Sequence, residues 1–201
     1  MTKPDLGAAA QFLAASGRVL DRRRFQRLFE GGGAGPVRDA IAAYRNPDGG
    51  FVHGLEPDGR CPDGQPAAIE LALRTLDEAD AWADDLVSGA CGWLQANAPA
   101  GGGAAFAESS VEGWPHAPWQ VPEAGRPATL ISTGQIAGTL HARGRSTRGW
   151  IGPRSSSGRG STCRMKQPPG SVPTTCAACC ASCAPTTGFP DCGQVRAPSQ
   201  P

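Results

Sequence analysis

Four ionisable side chains fall within eleven residues after a glycine turn: Asp48, His53, Glu56 and Asp58. A histidine beside carboxylates can act as a general acid or base near neutral pH. A second group, Trp114, His116 and Trp119, has the residue types that line an apolar or sugar-stacking cleft. Both groups also have plainer readings. Asp48 can close its own turn, Glu56 and Asp58 can cap proline-rich loops, and His53 can be a surface side chain. The aromatics can pin a long loop to the body of the protein.

The elements around these residues read as helices. Leu6, Ala10 and Leu13 form an apolar stripe at helical spacing, ended by Ser16-Gly17. Leu20, Phe25, Leu28 and Phe29 mark a second helix, stopped by Gly31-Gly32-Gly33. Pro36 suits a first helical turn, followed by Val37, Ile41 and Tyr44. Pro66 opens another helix carrying Ile69, Leu73 and Leu76, and Trp82, Leu86, Ala90, Trp93 and Leu94 mark the next. Thr129 can cap a last helix holding Ile136 and Leu140. No segment alternates with period two over a strand's length, so the expected fold class is all-α. The expected core is Leu13, Phe25, Leu28, Ile41, Tyr44, Phe51, Leu73, Leu76, Leu86 and Trp93.

Asn46-Pro47-Asp48-Gly49-Gly50-Phe51 is a strong turn signal, since proline fixes one φ and glycine accepts positive φ. A weaker copy follows another helix end, at Asn97-Ala98-Pro99 and Gly101-Gly102-Gly103-Ala104-Ala105-Phe106. The two phenylalanines are 55 residues apart, room for a helix pair per unit.

Tyr44 to Phe51 resembles the helix-turn motif of the terpenoid cyclase and protein prenyltransferase superfamily. The string through His53-Gly54-Leu55-Glu56-Pro57-Asp58 and Gln65-Pro66, with His116-Ala117-Pro118-Trp119, is similar to an uncharacterised bacterial group within it. The resemblance covers roughly residues 5–144. It implies a partial α/α toroid, an isoprenoid-like or other small-molecule ligand, and a squalene cyclase-like or prenyltransferase-like protein of unknown substrate. An α/α-barrel protein acting on carbohydrate and a non-catalytic binding scaffold are the alternatives. The cyclase motif Asp-x-Asp-Asp is absent, and Asp84-Asp85 is not followed by the third aspartate of Asp-Asp-x-x-Asp. Asp58, Cys61 and His116 resemble the zinc ligand types of prenyltransferases, but their spacing is not diagnostic. No metal and no cofactor is expected.

Charge and composition split the chain near Gly144. Residues 1–144 hold 12 basic and 17 acidic side chains, and residues 145–201 hold seven basic and one acidic. All twelve leucines lie in the first part. The last 57 residues contain four Leu, Ile, Val or Phe and six of the eight cysteines. So few apolar residues do not offset ordering entropy of roughly 1–2 kcal/mol per residue, so a disordered tail is expected. Cys176-x-x-Cys179-Cys180-x-x-Cys183 has ligand-like pairs but leaves no chelate loop between them. A shifted reading frame explains more: in a G/C-rich gene it turns leucine codons into cysteine and aspartate codons into threonine. A metal-binding tail and natural disorder are the alternatives. A full-chain net charge of +1 and only three consecutive arginines, Arg22 to Arg24, argue against nucleic acid. No apolar stretch is long enough to span a membrane. The N-terminus is a poor secretory segment, so a cytoplasmic protein is expected.

Overall fold

The computed structural model describes residues 4–52 and 54–151. His53 and the cysteine-rich segment 152–201, with the tail expected there, lie outside the described residues. Among the described residues six α-helices follow one another: α1 (Leu6–Ser16), α2 (Val19–Phe29), α3 (Gly35–Ala42), α4 (Pro66–Glu78), α5 (Asp84–Asn97) and α6 (Leu130–Ala142). A short 3-10 turn covers Ser109–Gly113. Among the described residues there is no sheet, only isolated bridges, and no helix is long and apolar enough to cross a membrane. The fold is all-α.

Each helix starts where the local chemistry allows it. The Asp5 side chain accepts the amide of Ala8 at 2.9 Å and caps α1. The Asp21 carboxylate closes the first turn of α2, accepting the Arg18 amide at 3.3 Å and the Arg18 guanidinium Nε at 2.9 Å. Pro66 opens α4, where its missing N–H costs nothing. Thr129 accepts the amide of Ser132 at 3.3 Å and caps α6.

α4 is the hub of the packing: it lies against α3, α5 and α6, while α2 bridges α1 and α3. Its apolar stripe, Ile69, Leu73 and Leu76, is fully enclosed and meets Ile41, Leu86, Leu94, Ile136 and Leu140 in one core. Ile41, Phe51, Leu73, Leu76, Leu86 and Trp93 are buried as the sequence predicts. Tyr44, Phe25 and Leu13 are only half-buried, and Leu28 is 44% exposed. Phe25 and Leu28 lie on α2, of which only Leu20 is buried, and for Leu13 the physical reason is position in the row. α1 sits at its end, buries no residue of its own, and leaves Phe12 67% exposed. A helix at the end of a row has a neighbour on one side, so half of its apolar stripe meets solvent.

The turn at 46–51 is tied by its own groups. Asn46 donates its amide to Gly50 O at 2.8 Å and Gly49 to Asn46 O at 2.9 Å. The Asp48 carboxylate accepts the amide of Gly50 at 2.9 Å. Gly49 has φ +89°, and a Cβ there would lie 2.5 Å from Gly89 O on α5. A Cβ on Gly64 would lie 2.5 Å from the Trp93 indole nitrogen. The turn therefore lies directly on α5 because it has no side chains in between.

The second glycine turn is used in a corresponding way. The cap residue of α4, Gln65, donates its amide to Phe51 O at 3.3 Å, and the cap residue of α6, Thr129, donates to Ala104 O at 2.9 Å. Thr133 of α6 also accepts the amide of Ala104 at 2.9 Å. In both units a glycine turn receives the start of the next helix.

The packed region runs past the boundary expected at Gly144. Arg145 pairs with Asp84 at 3.4 Å and donates to the Ser88 hydroxyl at 2.9 Å. Trp150 is 1% exposed within the core, and its carbonyl accepts the amide of Gly103. Low leucine content hid this segment, because a single tryptophan supplies the burial of several aliphatic residues.

Two stability predictions follow from these contacts. Trp150→Ala should cost about 3–5 kcal/mol in urea unfolding, and a chain ended at Gly144 should be destabilised relative to one ended at Ile151. Equal midpoints for those two chains would show that Trp150 does not join the core. Gly49→Ala should cost more than about 2 kcal/mol, since it adds both a strained φ and a clash.

Candidate functional site

Two loops distant in sequence are stitched together over the N-terminal end of α4. Arg60 donates its amide to Pro115 O at 2.9 Å and Ala117 donates to Asp58 O at 2.7 Å. Gly59 and His116 form an antiparallel bridge between these bonds. Side chains continue the pairing. The Trp119 indole N–H donates to Asp58 Oδ2 at 2.9 Å, and the Gln120 amide donates to Glu56 Oε2 at 2.9 Å.

The paired loops roof a cleft of about 480 Å³. Arg18 and Arg24, from the start and body of α2, form one wall; Ile131, Ser132 and Gln135 of α6 form the other. Pro66, Ala67, Glu70, Leu71 and Arg74 of α4 make the floor. Alternate helices line the cleft, and α3 and α5 do not.

The floor and the α2 wall are crossed by ion pairs. Arg74 meets Glu70 at 2.8 Å and Glu78 at 3.7 Å, while Arg24 meets Glu78 at 2.5 Å. Arg18 meets Asp21 at 2.9 Å. The hydrogen bond to Arg18, with the charge of that guanidinium, lowers the Asp21 carboxyl below the ordinary aspartate value. The cleft's arginines thus have carboxylate partners already.

Glu56 behaves in the opposite sense. Burial raises its carboxyl above the ordinary glutamate value, and the nearby Asp58 charge adds to this. The amide of Asp58, 2.9 Å from Glu56 Oε2, and the Gln120 amide offset part of the rise. Among the described residues no ion pair within 4 Å joins Glu56 or Asp58 to a cation. A half-buried carboxyl of this kind holds a proton more readily than a solvated one and can hand it to a bound molecule.

Of the residues singled out in the sequence, the structure brings Glu56, Asp58 and Trp119 together at the cleft. Asp48 is not there; its carboxylate closes the glycine turn. His116 pairs through its backbone, with ring Nδ1 2.6 Å from Trp114 O, and neither it nor the 47% exposed Trp114 lines the cleft. Cys61 is buried with Ala107 and Val111, and its thiol points to Ser110 O at 3.5 Å. Asp58, Cys61 and His116 do not assemble, and no three His, Cys, Asp or Glu among the described residues are placed to share a metal ion.

Arg18, Arg24, Glu70, Arg74 and Gln120 escaped the sequence reading. A signal existed for two of them: Glu70, Arg74 and Glu78 recur every four residues on α4, beside the apolar stripe. Compared with protein-family models, with curated proteins and with solved structures, the chain matches none.

The two carboxyls give a pH prediction. Relative to the unfolded chain, Glu56 favours the fold while protonated, and that contribution is lost as pH rises through its folded midpoint. Asp21 favours the fold while ionised, and loses its contribution as pH falls through its own. A carbon-13 carboxyl titration, assigned with Glu56→Gln and Asp21→Asn, should place Glu56 above and Asp21 below their ordinary values. A Glu56 midpoint at or below the ordinary value would contradict its half-buried placement.

Proposed function

We propose that the cleft binds a small polyhydroxylated ligand of carbohydrate type, with Trp119 as the stacking surface and Glu56 as the proton-exchanging group. One observation carries this reading: Trp119 is 63% exposed while its indole N–H is fixed on Asp58, beside the raised carboxyl of Glu56. An exposed indole held in one orientation offers a flat face for a sugar ring, at little further cost in side-chain freedom. The amide and carboxylate groups around it supply the planar hydrogen-bonding partners that hydroxyls need.

The resemblance to cyclases and prenyltransferases remains part of the proposal as architecture. A cleft lined by alternate helices is what a partial α/α toroid would present. For an isoprenoid ligand, Leu71, Phe106 and Ile131 supply apolar surface. A diphosphate head, however, would have to compete with Asp21, Glu70 and Glu78 for the arginines. The carbohydrate reading needs no such exchange.

Calorimetry and thermal shift with a panel of oligosaccharides and prenyl diphosphates test the proposal. A saccharide should bind, and Trp119→Ala should weaken it by about tenfold. Glu56→Gln should keep affinity within a few-fold and abolish any turnover found. Binding of prenyl diphosphates alone, or unchanged saccharide binding by Trp119→Ala, would overturn it.

A further inference from the structure

The loop that carries Glu56 lies in no helix or strand, so its position depends on a few backbone and side-chain ties. We propose that Arg18 is the positioning residue of the cleft, holding the Glu56 loop at the start of α2. This rests on the reading of Glu56 as the cleft's proton-exchanging group. The guanidinium is fixed first by its own neighbour. Nε donates to Asp21 Oδ2 at 2.9 Å and Nη2 to Asp21 Oδ1 at 3.2 Å, a two-pronged pairing that sets the plane of the group. Nη1 is then aimed at the loop. It donates to Gly54 O at 2.9 Å and to Leu55 O at 2.9 Å, the two carbonyls immediately before Glu56.

Besides Leu55, whose side chain is buried in the core, the loop is tied to residues 115–120 through Asp58, Arg60 and Glu56 itself. Arg18 is thus the brace on the α2 side, and the 115–120 loop is the brace on the other. Gly54 adopts φ +73°, so the backbone turns where Arg18 takes hold of it. A lysine would keep the charge but not the fork, because its donors all sit on one nitrogen and cannot face a carboxylate edge and two carbonyls together. Arg18 also lines the cleft, so the brace and the ligand space share a wall.

Hydrogen–deuterium exchange on the full chain reads this without any ligand. In Arg18→Lys and Arg18→Ala, the hydrogen-bonded amides of Leu55, Asp58, Arg60, Ala117 and Gln120 should exchange about tenfold faster, with α4 and α5 unchanged. Asp21→Asn should give a smaller rise in the same segments. Faster exchange confined to the first turn of α2 would make Arg18 a helix-capping residue only and overturn the proposal. Full protection in Arg18→Lys would do the same, since charge alone would then suffice. If Arg18→Ala does not fold, Arg18→Lys decides. With a saccharide found by the binding panel, Arg18→Lys should weaken affinity about tenfold and change the melting temperature little. A protein that binds no saccharide would remove the proposed ligand while the exchange pattern still decides the role of Arg18.

Discussion

Backbone lies directly against backbone where the turn at 46–51 meets α5, with Gly49 facing Gly89. Trp93 fills the remaining angle between Gly50 and Gly64. The entry to α4 depends on this contact, because Gln65 hydrogen-bonds to Phe51 at the end of the turn. α4 in turn carries both the apolar stripe of the core and the polar floor of the cleft. An added methyl at the turn would displace the helix on which the rest of the packing is built. Interiors are dense enough to transmit such a shift rather than absorb it.

Helix identity was legible because each helix has a stripe, a stop and a compatible first residue. α4 shows this well, with Pro66 at its start and Ile69, Leu73 and Leu76 inward. Burial was less legible. Leu13 and Leu28 have the spacing of core residues, but spacing does not say whether a neighbour exists on the other side. That depends on the order of helices in space: α1, which carries Leu13, is at the end of the row, and α2, which carries Leu28, lies between α1 and α3 yet buries only Leu20. Trp150 shows the converse: it lies in a stretch of glycine, serine and threonine, yet it is enclosed because the second glycine turn reaches its carbonyl.

The candidate site was legible in its residue types and not in its assembly. Glu56, Asp58 and Trp119 stand out as chemistry-bearing residues in loops, and they do meet. Asp48 and His116 carry equal promise by type, yet a turn and a backbone bridge absorb them. The arginines were illegible for a different reason. A basic run on a helix reads as a solvated face, and only the fold shows that Arg18 and Arg24 look across at α4 and the Glu56 loop.

The roof of the cleft joins residues 61 and 64 positions apart in sequence. Contacts of that span form only after a long loop closes, and the entropy of closure must be met before the contacts stabilise anything. During synthesis the first half of the chain carries α1 to α5 with Glu56 and Asp58, before the residues that pair with them across the cleft have been made. The indole of Trp119 arrives later, on a segment with little secondary structure of its own. Engagement of Trp119 with Asp58 therefore belongs to the same late stretch of chain that supplies α6 and Trp150 to the core, and a nascent chain halted before that residue would have neither a closed core nor a roofed cleft.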